Sequence, residues 1–242
     1  MLSEKPWRVD LTVFFFGALV LSWNLAGILA WGLHRFEIDG FRDSEDFGFA
    51  ILASLSFHGL ALVLMPFFLR AHGVGFRDVF CRPGMLRSLI AAVLTALIIL
   101  PVTLLLESAC IFLLEHLGRP VEDQVAVKLV MDAKSIFRLV YMGVFAIVFA
   151  PIAEEFVFRG LLFSLSKQLG HRRFAWLGVS ALFASIHFDV ARFLPLFFLG
   201  LVLTWLYVKT GNLLASIFAH SLFNTFGFVM ILFRDRWEHF FK

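Results

Sequence analysis

The sequence predicts an all-α fold, a polytopic transmembrane helix bundle of about seven spans. Three observations lead there. The chain of 242 residues is 60% hydrophobic and only 16% charged, whereas a soluble domain carries about 25% charged residues. Its mean hydropathy is +0.88, which leaves a membrane protein as the comfortable class. Its apolar residues gather in runs long enough to cross a hydrocarbon core about 30 Å thick, separated by polar or Gly/Pro-bearing connections.

The elements follow in order. Residues 1–9 are short and mildly basic, with Lys5 and Arg8 against Glu4. A first span is expected at about 10–33, with Trp7, Trp23 and Trp31 near its interfaces. It is too long for a signal-peptide core and reads as retained. An acid-rich loop follows, with Glu37, Asp39, Asp43, Glu45 and Asp46 beside Arg35 and Arg42. The second span, about 49–69, contains His58. Arg70, Arg77, Arg82 and Arg87 make the next connection basic, and Gly73, Gly75 and Pro83-Gly84 break it. The third span, about 88–117, is long enough to tilt or to kink at Pro101, and it carries Glu107.

A polar loop at about 118–135 leads to the fourth span, about 136–165, where Pro151 predicts a kink just before a glutamate pair. The fifth span, about 174–188, ends at His187-Phe188-Asp189. The sixth, about 193–208, ends in the turn signal Lys209-Thr210-Gly211-Asn212. The seventh, about 213–233, precedes an interfacial tail at 234–242. There is no repeat, linker or second domain, so 1–242 reads as a single membrane domain. Counting loop Lys and Arg puts the N-terminus inside by ten against nine.

Composition also excludes functions. No basic cluster is interleaved with aromatics, so nucleic acid is not an expected partner. Cys81 and Cys110 form neither a disulfide framework nor a C-x-x-C zinc site.

The informative residues are ionisable groups at membrane depth, each costing at least about 2.5–3.5 kcal/mol to insert. Glu154, Glu155 and Arg159 lie in the fourth span, His187 ends the fifth, and His220 and Asn224 lie in the seventh. From one end of their spans, Glu154 is roughly 16 Å deep, His187 roughly 20 Å, His220 roughly 11 Å and Asn224 roughly 17 Å. One layer can hold all four. Glu155 and Arg159 are spaced i,i+4 and can pair, which leaves Glu154 for the site. His220 and Asn224 share a face, as do Phe183 and His187. A lone membrane histidine is more often an interhelical hydrogen bonder than a catalyst, so His58 is set aside, and Asn24 with it. Glu107 reads as a packing carboxylate or a cavity wall, and Asp189 with Arg192 as a corner ion pair.

This set suits hydrolysis. Glu154 and His187 can act as an acid–base pair on a water. His220 and Asn224 can donate to the oxyanion of the tetrahedral intermediate. The same chemistry leaves a rival: Glu154, His187 and His220 form a two-histidine, one-carboxylate set able to hold a divalent metal such as zinc. The metal-free scheme is the expectation. There is no H-E-x-x-H. Gly178-Val179-Ser180 faintly resembles the turn of rhomboid serine proteases, with Ser180 seeking His220, but that reading leaves the glutamates idle.

Glu154-Glu155-x-x-x-Arg159, Phe183-x-x-x-His187 and His220-x-x-x-Asn224, in this order, resemble the three motifs of the CPBP family, the CAAX prenyl endopeptidases of the Rce1 type and their Abi relatives. The resemblance covers about 136–226. It implies a glutamate-type intramembrane endopeptidase with Glu154 and His187 activating water, His220 and Asn224 forming the oxyanion site, and Glu155 and Arg159 supporting them. It implies a membrane-anchored or membrane-delivered protein or peptide as substrate and partner, in the inner membrane of a bacterium. The alternative function is a non-catalytic membrane immunity or binding protein. The site is expected at the blind end of a funnel bounded by spans two to five and seven, opening on the cytoplasmic side.

Overall fold

In hydrocarbon a backbone has no water to bond, so apolar runs must satisfy their own N–H and C=O groups as helices. The computed structural model describes residues 7–41, 47–80, 84–133 and 135–234. Lys5, Arg42, Asp43, Glu45, Asp46, Cys81, Arg82, Lys134, Arg236 and Lys242, which entered the charge and cysteine readings, lie outside the described residues. The described helices are α1 (Val9–Arg35), α2 (Phe47–Ala71), the short α3 (Phe76–Phe80), α4 (Met85–His116), the short α5 (Val125–Met131), α6 (Ile136–Gln168), α7 (Arg172–Ser185), α8 (Val190–Thr210) and α9 (Leu213–Leu232).

Six of these, α1, α2, α4, α6, α8 and α9, are long and apolar enough to cross a membrane. The chain is an integral membrane protein. The expected fifth span is α7, of 14 residues, about 21 Å long and too short to cross alone. Even the most enclosed span, α8, buries only 44% of its apolar window, so much apolar surface is left for lipid.

α6 is the middle of the packing. α1 and α2 lie on one side of it, α7 and α9 on the other, and α8 and α9 both pack on α4. Trp7, just before α1, is buried among Phe15, Phe68 and Phe156, and its Nε1 donates to the carbonyl of Gly160, 2.9 Å away. Its backbone N–H donates to Gln168 at 2.8 Å, and the next, Arg8, donates to His72. The start of α1 and the ends of α2 and α6 thus share one end of the bundle. The end of α4, the 119–126 segment and the start of α8 share the other.

α6 is not a uniform α-helix. It contains π segments at Phe145–Phe149 and Phe156–Phe163, flanking the turn Ala150–Glu155. Pro151 sits at the start of that turn. The N–H of Ala150 bonds back to Phe145, five residues away. The carbonyl of Ala146 then faces Pro151, which has no N–H to give. A proline therefore frees a carbonyl beside the glutamates, and π segments of this kind are frequent at functional sites.

Candidate active site

Neighbouring residues on a helix point about 100° apart, so Glu154 and Glu155 diverge. Glu155 turns inward and is fully buried. Its Oε1 accepts from Arg159 Nη1 at 2.7 Å, the i,i+4 pair expected from the sequence. Arg159 is fully buried too. Its Nη2 donates to the Gly200 carbonyl at 3.0 Å, its Nε to Thr204 Oγ1 at 3.4 Å, and its guanidinium lies 4.8 Å from the centre of the Phe183 ring. A buried cation is tolerable only when paired and bonded in this way.

His220 connects the two glutamates. Its Nδ1 lies 2.9 Å from Glu155 Oε1, so Nδ1 carries the proton and donates. Its Nε2 lies 3.8 Å from Glu154 Oε2. The other oxygen of Glu154, Oε1, lies 2.8 Å from Nε2 of His58. His187 lies in the turn after α7 and joins this group through Phe183. Its Nδ1 donates to the carbonyl of Phe183 at 2.8 Å, which leaves Nε2 as the free, basic nitrogen. The ring of Phe183 packs edge-on against both His187 and His220. Glu154, Glu155, Arg159, His187 and His220 are thus brought together.

Asn224 joins by a different contact. Its Nδ2 donates to the Ala146 carbonyl at 2.7 Å, the group that Pro151 leaves without a backbone donor. One of its two N–H groups is therefore committed to α6, and an oxyanion would have to use the other.

His58 is the residue that sequence reasoning discarded. Nothing local marked it: no charged residue lies within a turn of it on α2. A depth count from the end of α2 would have put it in the layer of Glu154.

Ser180 corrects the rhomboid-like alternative. It is fully buried, its hydroxyl donates to Trp176 one turn back, and its Cα and Cβ press against Gly200. A Cβ on Gly200 would meet Ser180 Cβ at 3.0 Å. This serine is a helix-packing contact with no route to a substrate.

At the far end of the bundle α7 stops, with Phe188 in the left-handed region at φ 51°. Such a conformation in a bulky residue stores strain, a feature that recurs at functional sites. Asp189 then caps α8 by accepting from the Arg192 N–H at 3.1 Å. Its carboxylate also pairs with Arg192 Nη1 at 2.7 Å and accepts from Gln124 at 2.9 Å. Arg192 Nε in turn meets Glu107 at 2.7 Å. Burial pushes the Asp189 carboxyl up, but the bonds from Arg192 and Gln124 outweigh it and hold the group below the usual range.

This corner borders a basin of about 680 Å³, within the range of ligand pockets. Leu114, the 119–126 segment and 187–191 line it. Of the site residues, His187 lines it and Glu154 and His220 do not. The basin lies at the end of the bundle opposite the start of α1. The reason is that α7 stops short at Ser185 and leaves room beneath the segment that follows α4.

The set that could hold a divalent metal is Glu154, His187 and His220. Nε2 of His220 and Oε2 of Glu154 are 3.8 Å apart, wider than two ligands on a tetrahedral zinc, about 3.3 Å for bonds of about 2.0 Å. Oε1 of Glu154 is taken by His58. Among the described residues no three His, Cys, Asp or Glu side chains converge as a metal site.

Residues 136–226 match the family model described as type II CAAX prenyl endopeptidase Rce1-like. This segment is similar to the Rce1-like family. The chain is similar to "Putative membrane peptidase YdiL" of Bacillus subtilis (strain 168), at 30% identity over 116 residues, 48% of this chain and 46% of that protein. It is similar to "UPF0177 protein YxdF" of Lactococcus lactis subsp. lactis (strain IL1403), at 33% identity over 81 residues, 33% of this chain and 44% of that protein. The chain spans less than half the length of either relative. No solved structure matches it. The Rce1-like match covers α6 to most of α9, with Glu154 and His220 on helices and His187 in the turn after α7.

Proposed function

We propose that this protein is an intramembrane endopeptidase, and that Glu154 is its general base. One observation carries the reading: Glu154 is 7% exposed at membrane depth, and among the described residues its ion-pair partners are the imidazoles of His58 and His220, with no arginine or lysine within salt-bridge distance. A structural carboxylate takes a cation, as Glu155 takes Arg159. A carboxylate among imidazoles can exchange protons.

In this mechanism a water reaches the site past His187, the group that borders the basin. Glu154 Oε2 removes one of its protons as the oxygen attacks the scissile carbonyl. Nε2 of His187 accepts a hydrogen bond from the same water and orients it. The oxyanion receives N–H groups from Nε2 of His220, when that ring is doubly protonated, and from the second N–H of Asn224. Such donors are worth several kcal/mol each, about 2.7–4. Glu154 then returns its proton to the leaving nitrogen as the C–N bond breaks. Glu155 and Arg159 hold His220 in place through Oε1 of Glu155. No step calls for a metal, and activity is expected to survive chelation.

The substrate class is a protein or peptide delivered to the lipid bilayer by its own anchor, since a site at this depth meets chains already held in the membrane. The proposed location is a bacterial cytoplasmic membrane, the inner membrane where there are two. The test is a comparison of protein termini in membranes of a host expressing the wild type or Glu154→Ala. New termini produced only by the wild type, with equal expression, are expected. Identical sets would contradict the reading and favour a non-catalytic immunity or binding protein.

A further inference from the structure

An imidazole in a membrane span has two nitrogens to satisfy. Nε2 of His58 lies 2.8 Å from Glu154 Oε1. An ionised carboxylate only accepts, so Nε2 carries the proton. Nδ1 of the same ring is buried and has no partner. An unpaired buried acceptor costs roughly 1–3 kcal/mol. A hydroxyl or an amide could join α2 to α6 without that cost, so a tether alone does not account for a histidine.

The ring is also held in orientation. It stands at 88° to Phe145, 5.1 Å between centres, and at 78° to its neighbour Phe57. His58 lies in a π segment of α2, Leu55–Gly59, and Phe145 in a π segment of α6. The two irregular turns meet across the carboxylate.

The consequence falls on Glu154. With Oε1 fixed by His58, its carboxylate cannot spin about its terminal bond. Oε2 is then the oxygen presented toward His220, 3.8 Å away. We infer that His58 is a positioning residue for Glu154: its Nε2–H locks one carboxylate oxygen so that the other faces the water. The inference rests on the peptidase reading, and it adds a fourth helical element, α2, to a site whose motifs belong to α6, α7 and α9. A base misplaced by about 1 Å loses on the order of 10²-fold in rate.

The experiment has two arms, both on the full chain in proteoliposomes. In the first, imidazole ¹⁵N spectra are recorded for the wild type and for Glu154→Gln. His58 is expected as the Nε2–H tautomer, with a resonance that moves in Glu154→Gln; a resonance indifferent to that change overturns the pairing whatever the activity. In the second, His58→Phe and His58→Gln are compared by the rate at which wild-type-dependent termini accumulate after host membranes are fused with the proteoliposomes, with melting temperatures as the folding control. Phe fills the space without a donor and is expected to lose about 10²-fold. Gln places an N–H near the Nε2 position and is expected to recover most of that loss, which a purely packing role would not do. Wild-type rates in His58→Phe, or equal losses in both variants, would overturn the role of His58 while leaving the peptidase reading intact. No termini from the wild type itself would overturn the peptidase reading and the role of His58 together.

Discussion

Asn224 donates from Nδ2 to the carbonyl oxygen of Ala146, 2.7 Å away, and Pro151 is the reason that carbonyl is free. The Ala150 N–H is committed to Phe145, and a proline cannot supply the next donor. The side chain of α9 completes the backbone of α6 one turn before Glu154. Asn224→Leu is expected to destabilise the protein by about 1 kcal/mol, since it orphans a part-buried carbonyl. In a Pro151→Ala background, where residue 151 regains an N–H, the same change should cost measurably less. Denaturant unfolding of the four proteins in detergent measures this coupling. Equal costs in both backgrounds would show that proline and asparagine are independent.

Arg159 is a fully buried cation with its counter-charge on the same helix. Removing it strands Glu155 without charge compensation. Arg159→Met is therefore expected to cost about 3–5 kcal/mol, seen as a large fall in melting temperature. Gly200→Ala is expected to act on the same contact from the other side. Its new methyl would sit 3.0 Å from Ser180 Cβ and 3.1 Å from Ser180 Cα. The helices must separate, carrying the Gly200 carbonyl away from Arg159, at a cost of about 1–3 kcal/mol.

These residues also show where the sequence could be read and where it could not. The Glu155–Arg159 and Asp189–Arg192 pairs follow from helical and corner spacing, and both form at 2.7 Å. The common depth of Glu154, His187 and His220 follows from a rise of 1.5 Å per residue. His58 was passed over because a lone histidine on an apolar span carries no local pattern. Its partner is 96 residues away, and only packing brings α2 against α6. The π segments were illegible for a related reason. Pro151 announces an irregularity, but whether a helix kinks or widens depends on which neighbour can satisfy the freed carbonyl, here Asn224.

Asp189 makes a prediction in pH. Its folded value lies below the ordinary carboxylate range, through Arg192 and Gln124 acting against burial. A depressed carboxylate contributes stability that is fully present above its unfolded value, about 3.9, and is lost as the pH falls through its folded value. Melting temperatures recorded between about pH 5 and about pH 2 should fall more steeply for the wild type than for Asp189→Asn. The group is partly solvated, so the difference is expected to be small and to shrink with salt. Parallel curves would mean that the corner does not depend on the charge of Asp189.

The central claim is a division of labour between two adjacent glutamates: Glu155 holds the structure and Glu154 performs the chemistry. Substituting each by glutamine, in the same membrane assay with melting temperature measured alongside, tests it most directly. Glu154→Gln is expected to melt close to the wild type and to lose about 10²–10⁴-fold in the rate of wild-type-dependent cleavage, the usual contribution of a general base. Glu155→Gln is expected to melt well below the wild type. A Glu154→Gln protein that cleaves at the wild-type rate would contradict the account.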